Sequence, residues 1–97
     1  MNTSQHSYQM SISHQEFMRL LPVAIGERPY TKKGDTIYIN ETNQRTITIH
    51  LSEEGQHKIA MLCLPSTKVT FDFSGYEKED EAAFLTYFHK RFQRGGG

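Results

Sequence analysis

The sequence predicts an α+β domain: a four-stranded antiparallel meander sheet with an N-terminal and a C-terminal helix packed on one face, in the order α-β-β-β-β-α. Three observations predict it. Apolar residues recur at helical spacing near both ends, at Phe17, Leu20, Leu21 and Ala24 and again at Phe84, Phe88 and Phe92. Between them the period falls to two, most clearly in Thr46-Ile-Thr-Ile-His-Leu51. The connectors are short and carry Gly, Asn, Ser and Pro, so successive strands run antiparallel. A chain of 97 residues supports one hydrophobic core.

Residues 1–11 are almost entirely polar and show no period, which predicts a disordered tail. The domain then spans 12–94. Ser13-His-Gln-Glu16 has the form of a capping box, with Ile12 and Phe17 at the staple positions around it. Pro22 predicts that the first helix stops near Leu21 or kinks there, because proline lacks an N–H and disfavours helical geometry before it. Gly26 and Pro29 close the segment.

Four alternating runs follow. Thr36–Asn40 turns Ile37 and Ile39 inward, and Thr46–Leu51 turns Ile47, Ile49 and Leu51 inward. Lys58–Leu64 is the third run and Lys68–Phe73 the fourth, with Val69, Phe71 and Phe73 inward. A further short strand at Arg28–Thr31, hairpinned through Lys32–Asp35, is a candidate. Parity predicts Ile49 opposite Ile59 and Ile47 opposite Met61. Across a turn at Pro65–Thr67 it predicts Cys63 opposite Val69 and Met61 opposite Phe71. The last helix opens on Glu77, Glu79, Asp80 and Glu81 and closes on His89, Lys90, Arg91 and Arg94, the polarity that the helix dipole favours. Its stripe of Phe84, Leu85, Phe88 and Phe92 is expected to cover Ile49, Met61, Phe71 and Phe73. Gly95 supplies a left-handed stop, and residues 95–97 form a flexible glycine tail.

Composition narrows the function. Lys plus Arg number 11 and Asp plus Glu number 11, so the formal net charge is zero with five histidines uncounted. That balance disfavours a protein built to hold phosphate backbones or acidic membrane surfaces. The apolar runs fall far short of the roughly 20 residues that span a bilayer. The polar N-terminus lacks the basic start and apolar stretch of a secretory signal. A lone Cys63 fits a reducing compartment, at an inward position where a buried structural thiol is expected. A cytoplasmic address follows as the expectation.

No catalytic motif is present, which leaves a non-catalytic interaction or accessory domain as the expected function. No cofactor is implied. His50 and His57 flank Glu53 and Glu54, but even and odd positions are expected to put the two rings on opposite sides, so no metal site is predicted. The outer sheet face is the candidate interaction surface. Tyr38, Thr48, His50 and Thr70 point outward, and the third run adds Ala60, Leu62 and Leu64 on the same side. A strand apolar on both faces usually has both covered. The partner is therefore another protein or a second copy, back to back through Leu62 and Leu64. Tyr38 and His50 with Lys58 and Lys68 also form a sparse version of a single-strand-binding sheet, a weak nucleic-acid alternative.

The closing Gly95-Gly96-Gly97 is similar to the tails of ubiquitin-like and sulfur-carrier proteins, which thread the narrow active site of an adenylating enzyme. The resemblance implies a carrier or modifier role for Gly95, Gly96 and Gly97. In those families the tail leaves a strand of a β-grasp fold, whereas here it follows a helix. Phe84 to Gly97, with Leu21-Pro-Val-Ala-Ile-Gly26 upstream, also resembles a group of short uncharacterised bacterial proteins that end in Arg-Gly-Gly-Gly. That likeness implies a bacterial protein and brings no activity with it.

Overall fold

Eight elements form in the computed structural model, which describes residues 3–40 and 44–96. They are β1 (Thr3–Met10), α1 (His14–Ala24), β2 (Tyr30–Lys33), β3 (Thr36–Asn40), β4 (Thr46–Leu51), β5 (Gly55–Ile59), β6 (Leu62–Ser74) and α2 (Lys78–Gly96). The result is a mixed α+β fold with two helices and an antiparallel sheet. The sheet has six strands rather than four, in the order β1-β6-β4-β3-β2, and β5 pairs with β6 beside that path.

The two added strands, β1 and β2, lie at the edges. Residues 3–10, expected as part of a tail, pair with β6 from Thr3↔Ser74 to Met10↔Thr67. Without β1, the strand carrying Val69, Phe71 and Phe73 would be an open edge. Its inward residues Ser4, His6, Tyr8 and Met10 are half-buried and its others exposed, so an alternation is present, written mostly in polar letters. At the opposite edge, β2 joins β3 through a two-residue turn, Lys33↔Thr36, whose first residue is Gly34 at φ +59°. Glycine takes that left-handed geometry without steric cost.

The meander register is also different. β4 pairs with β6 directly, Ile49↔Phe71 and Ile47↔Phe73, so neither Ile59 nor Met61 faces β4. Strand β6 runs unbroken for 13 residues through Pro65, and there is no turn at Pro65–Thr67. The reversal falls instead at Ala60-Met61, between Ile59↔Leu62. Strands β4 and β5 are thus one interrupted strand lying along β6. Three residues, 52–54, oppose two, 67 and 68, which makes a one-residue bulge. The Ser52 N–H donates to Lys68 O (2.9 Å), and the Lys68 N–H donates to Ser52 Oγ (2.8 Å).

The helices follow their local chemistry. Ser13 caps α1 by accepting from the Glu16 N–H (3.1 Å), while the Glu16 carboxylate turns to Arg19 rather than back to the cap. Pro22 does not stop α1, which continues to Ala24. It stands in the last turn, and its carbonyl accepts from Glu27 N (2.8 Å) while Gly26 N donates to Val23 O (3.1 Å). This pair of bonds is a Schellman closure, with Gly26 left-handed at φ +69°. Helix α2 does not stop at Gly95 but runs on through Gly95 to Gly96, so the expected left-handed stop and glycine tail do not begin there. Met1, Asn2, the connector residues 41–43 and Gly97 lie outside the described residues.

The core lies on one sheet face. Ile37, Ile39, Ile47, Ile49, Val69 and Phe71 are fully buried, together with Phe17 and Leu21 of α1 and Phe88 of α2. Phe71 meets Phe88 edge-on at 4.9 Å, Phe73 meets Phe84 at 5.7 Å, and Phe17 reaches Phe92 at 5.1 Å. Both helices therefore cover the odd-numbered face, as their apolar stripes predict. No described helix is long and apolar enough to cross a membrane.

Candidate functional site

The molecule measures 48 × 24 × 22 Å, and its long axis comes from β6. Thirteen strand residues extend about 43 Å at roughly 3.3 Å each. Only the second half of β6 has helices behind it. The first half, Leu62–Ser66, pairs with β5 alone to form a two-stranded arm, and every residue from Glu53 to Cys63 is exposed.

The bulge decides which side chains share a face of that arm. Opposed residues in an antiparallel pair point the same way. His57 and Ile59 therefore accompany Leu64 and Leu62 on the side continuous with the outer sheet face. Lys58 and Gln56 lie opposite, with Cys63 and Pro65. Without the bulge, even-numbered residues would have stayed outward throughout. At the end of the arm Met61 is 98% exposed, Leu62 63% and Ile59 52%. Large apolar side chains gathered at one exposed projection are uncommon on a monomer surface and mark contact sites.

The arm is braced at its base. The His14 N–H donates to Glu54 Oε1 (2.8 Å), and its Nε2–H donates to Ser52 O (2.7 Å). The N-terminus of α1 thereby grips both ends of the bulge. Thr67, fully buried, donates its hydroxyl to Ile12 O (2.8 Å). These bonds hold the root while the tip stands clear.

The expected interaction surface divides into two parts. Tyr38, Thr48, His50 and Thr70 sit together on the outer sheet face, with Tyr38↔Thr48 and His50↔Thr70 directly opposed. Ala60, Leu62 and Leu64 lie away from them on the arm. Ala60 is not a strand residue but the first turn residue, left-handed at φ +54°. The apolar run Lys58–Leu64 looks two-faced in the sequence because it passes through a turn, so it is neither a single strand nor sandwiched. Met61, expected under α2, is at the tip.

On the outer face a polar chain crosses four strands. Gln5 donates to Asp72 Oδ1 (2.9 Å), His50 Nε2–H donates to Asp72 Oδ2 (2.8 Å), and Thr36 Oγ1 lies 3.5 Å from His50 Nδ1. The order hydroxyl, imidazole, carboxylate is that of a nucleophile relay. All these groups are solvated on an open sheet face, and the hydroxyl sits at the limit of a hydrogen bond. The arrangement serves as a cross-strand tie. It also occupies His50, the candidate stacking group beside Tyr38. Lys68 shares this outer side, whereas Lys58 is on the arm.

Several single-residue expectations change with the arm. Cys63 is exposed rather than buried, and its thiol donates to Gln56 Oε1 (3.3 Å). The bulge puts His50 and His57 on the same side after all. Even so, no group of three His, Cys, Asp or Glu residues placed to hold a metal occurs among the described residues. His89, expected in the last helical turn for its charge, is half-buried against Tyr8, ring to ring at 4.5 Å. Desolvation pushes its pKa down.

Comparison with protein-family models, with curated proteins and with solved structures finds no match for this chain.

Proposed function

We propose that this protein is a non-catalytic protein-contact domain that acts through its β5–β6 arm, and that a second copy of the chain is the partner. The exposed apolar end of the arm, Ile59, Met61 and Leu62, carries the reading. Leu64 and Leu62 extend that apolar strip toward the root on the same side. A strip of this kind is self-complementary under a two-fold axis. Side chains rather than backbone pairing make the contact, because Pro65 has no N–H to offer an added strand at the free edge of β6.

Sedimentation velocity across a concentration series tests the proposal, comparing wild type with Leu62→Asp. The expected result is a concentration-dependent dimer for wild type and a monomer for the variant. Leu62 is 63% exposed, so the variant is expected to fold, and unfolding curves of the two proteins are expected to coincide only at concentrations too low for dimer. A wild type that stays monomeric throughout, like the variant, overturns the second-copy reading.

A further inference from the structure

Strand β1 ends the strand order of the sheet, so one of its long edges has no neighbour among the described residues. Which backbone groups stand on that edge follows from the hydrogen bonds of the inner strands. Along a strand the N–H and C=O of one residue point to the same side, and successive residues alternate. The Leu51 N–H donates to Asp35 O (2.8 Å), toward β3, and the Ser52 N–H donates to Lys68 O (2.9 Å), toward β6. His50, Thr48 and Thr46 therefore bond to Thr70, Asp72 and Ser74. The residues between these on β6, Val69, Phe71 and Phe73, bond to Tyr8, His6 and Ser4. That leaves the N–H and C=O groups of Thr3, Gln5, Ser7 and Gln9 facing the open edge. We propose that this edge takes up an extended, uncharged segment of another protein as an added antiparallel strand.

The edge is free of the devices that normally block such pairing, which are short length, Lys, Pro and bulges. Strand β2 is four residues long with Lys32 and Lys33, β5 carries Lys58, and the uncovered half of β6 contains Pro65. Strand β1 has eight residues, with no Pro, Lys, Arg, Asp or Glu, and pairs without interruption from Thr3 to Met10. From Thr3 to Gln9 it presents about 20 Å of backbone, at roughly 3.4 Å per residue. Its outer side chains are tied back toward β6, away from the edge. Gln5 donates to Asp72 Oδ1 (2.9 Å), Gln9 donates to Ser66 Oγ (2.6 Å), and the Ser7 and Thr70 hydroxyls lie 3.1 Å apart. Less ordering then remains to be done when a strand arrives.

The two flanks of β1 set the character of the partner. Residues of an added antiparallel strand point the same way as those they oppose. Opposite Thr3, Gln5, Ser7 and Gln9 they join the polar outer face. At the alternate positions they lie beside Tyr8 and Met10, which lean on the core half-buried and leave an apolar step at the edge. The segment that fits therefore alternates polar and apolar residues. A second copy of β1 fits less well. The register that uses every outward group opposes Thr3 to Gln9, so that Tyr8 meets Ser4 and His6 meets its own copy.

A capped heptapeptide of alternating threonine and valine is the probe, read by amide hydrogen exchange of the full chain in nitrogen-15 NMR. Slower exchange is expected at Thr3, Gln5, Ser7 and Gln9, whose amides face water in the free chain. The same peptide N-methylated on its threonines, where methyl groups replace the donors aimed at β1, is expected to give no protection. N-methylation on its valines, whose N–H groups point away from β1, is expected to leave protection in place. Ser7→Pro removes one outward donor and no backbone bond to β6. It is expected to weaken binding about tenfold, the scale of one lost hydrogen bond. No slowing at millimolar peptide, equal protection by the two methylated peptides, or unchanged binding by Ser7→Pro overturns the proposal. Protection already present in the free chain and lost on dilution gives the edge to a second copy and overturns it too.

Discussion

Replacing His6 by Ala asks whether the N-terminal segment is a strand in solution. His6 Nε2–H donates to Glu81 Oε1 at 3.0 Å, and Glu81 is 5% exposed, on the first turn of α2. The imidazole also meets Phe73 edge-on at 5.8 Å. Leaving a buried acceptor without its donor costs about 1–3 kcal/mol. Losing an aromatic edge contact adds about 0.5–1.5 kcal/mol. The His6 side chain is itself 37% exposed, so water replaces part of what is lost and the lower half of each range applies. The sum is about 2 kcal/mol, or on the order of 10 °C in Tm for a domain near 100 residues. Urea unfolding of wild type, His6→Ala, Glu81→Gln and the double variant measures both the loss and the coupling. A coupling of about 1 kcal/mol is expected between neighbours that share a bond. A His6→Ala variant within about 0.3 kcal/mol of wild type, or effects that simply add, would refute the role given to β1, since additivity is the behaviour of independent sites.

Two further outcomes follow from the same contacts. His89 is held below its ordinary pKa by burial, so the folded state binds its proton less readily than the unfolded chain. Its contribution to stability is complete above pH about 6.5 and is lost as pH falls through that value toward the lower folded pKa. His89→Gln should flatten the fall in urea midpoint between about pH 7 and about pH 5, and an unchanged slope would count against this account. Ala60→Gly should stabilise the arm by up to about 1 kcal/mol, because left-handed geometry costs a Cβ-bearing residue about 1–2 kcal/mol and glycine returns part of that as unfolded-state entropy. Slower amide exchange at His57 and Leu64, opposed in the hairpin, reads that gain, and faster exchange would contradict the turn assignment.

Much of the fold was legible because it rests on local repetition. The stripes at Phe17–Ala24 and Phe84–Phe92 need only a 3.6-residue period, and both are buried as that period requires. Ile37, Ile39, Ile47, Ile49 and Phe71 needed only alternation. Strand β1 was missed although Tyr8, Met10 and Ile12 recur at every second residue, because the positions between and before them are polar. A strand at a sheet edge buries little, so a weak pattern suffices when a long neighbour supplies the partner. The arm was missed for another reason. An apolar run of seven residues, Lys58–Leu64, has the length of a strand, and only pairing shows that the chain reverses inside it at Ala60-Met61.

The amino-acid sequence alone determined the fold class, the two helices, the inward face of the central strands and the zero formal net charge. Those features depend on residues near one another along the chain, whose propensities and periods act locally. Tertiary structure decided what is presented to a partner. The one-residue bulge at 52–54 turns His57 and Ile59 onto the side of Leu62 and Leu64, and the reach of β6 beyond the helices leaves that strip uncovered. A cleft of about 470 Å³ joins Arg28, Arg45 and Tyr87 from three separate parts of the chain. Register and long-range contact are relations between distant segments, and no local pattern carries them.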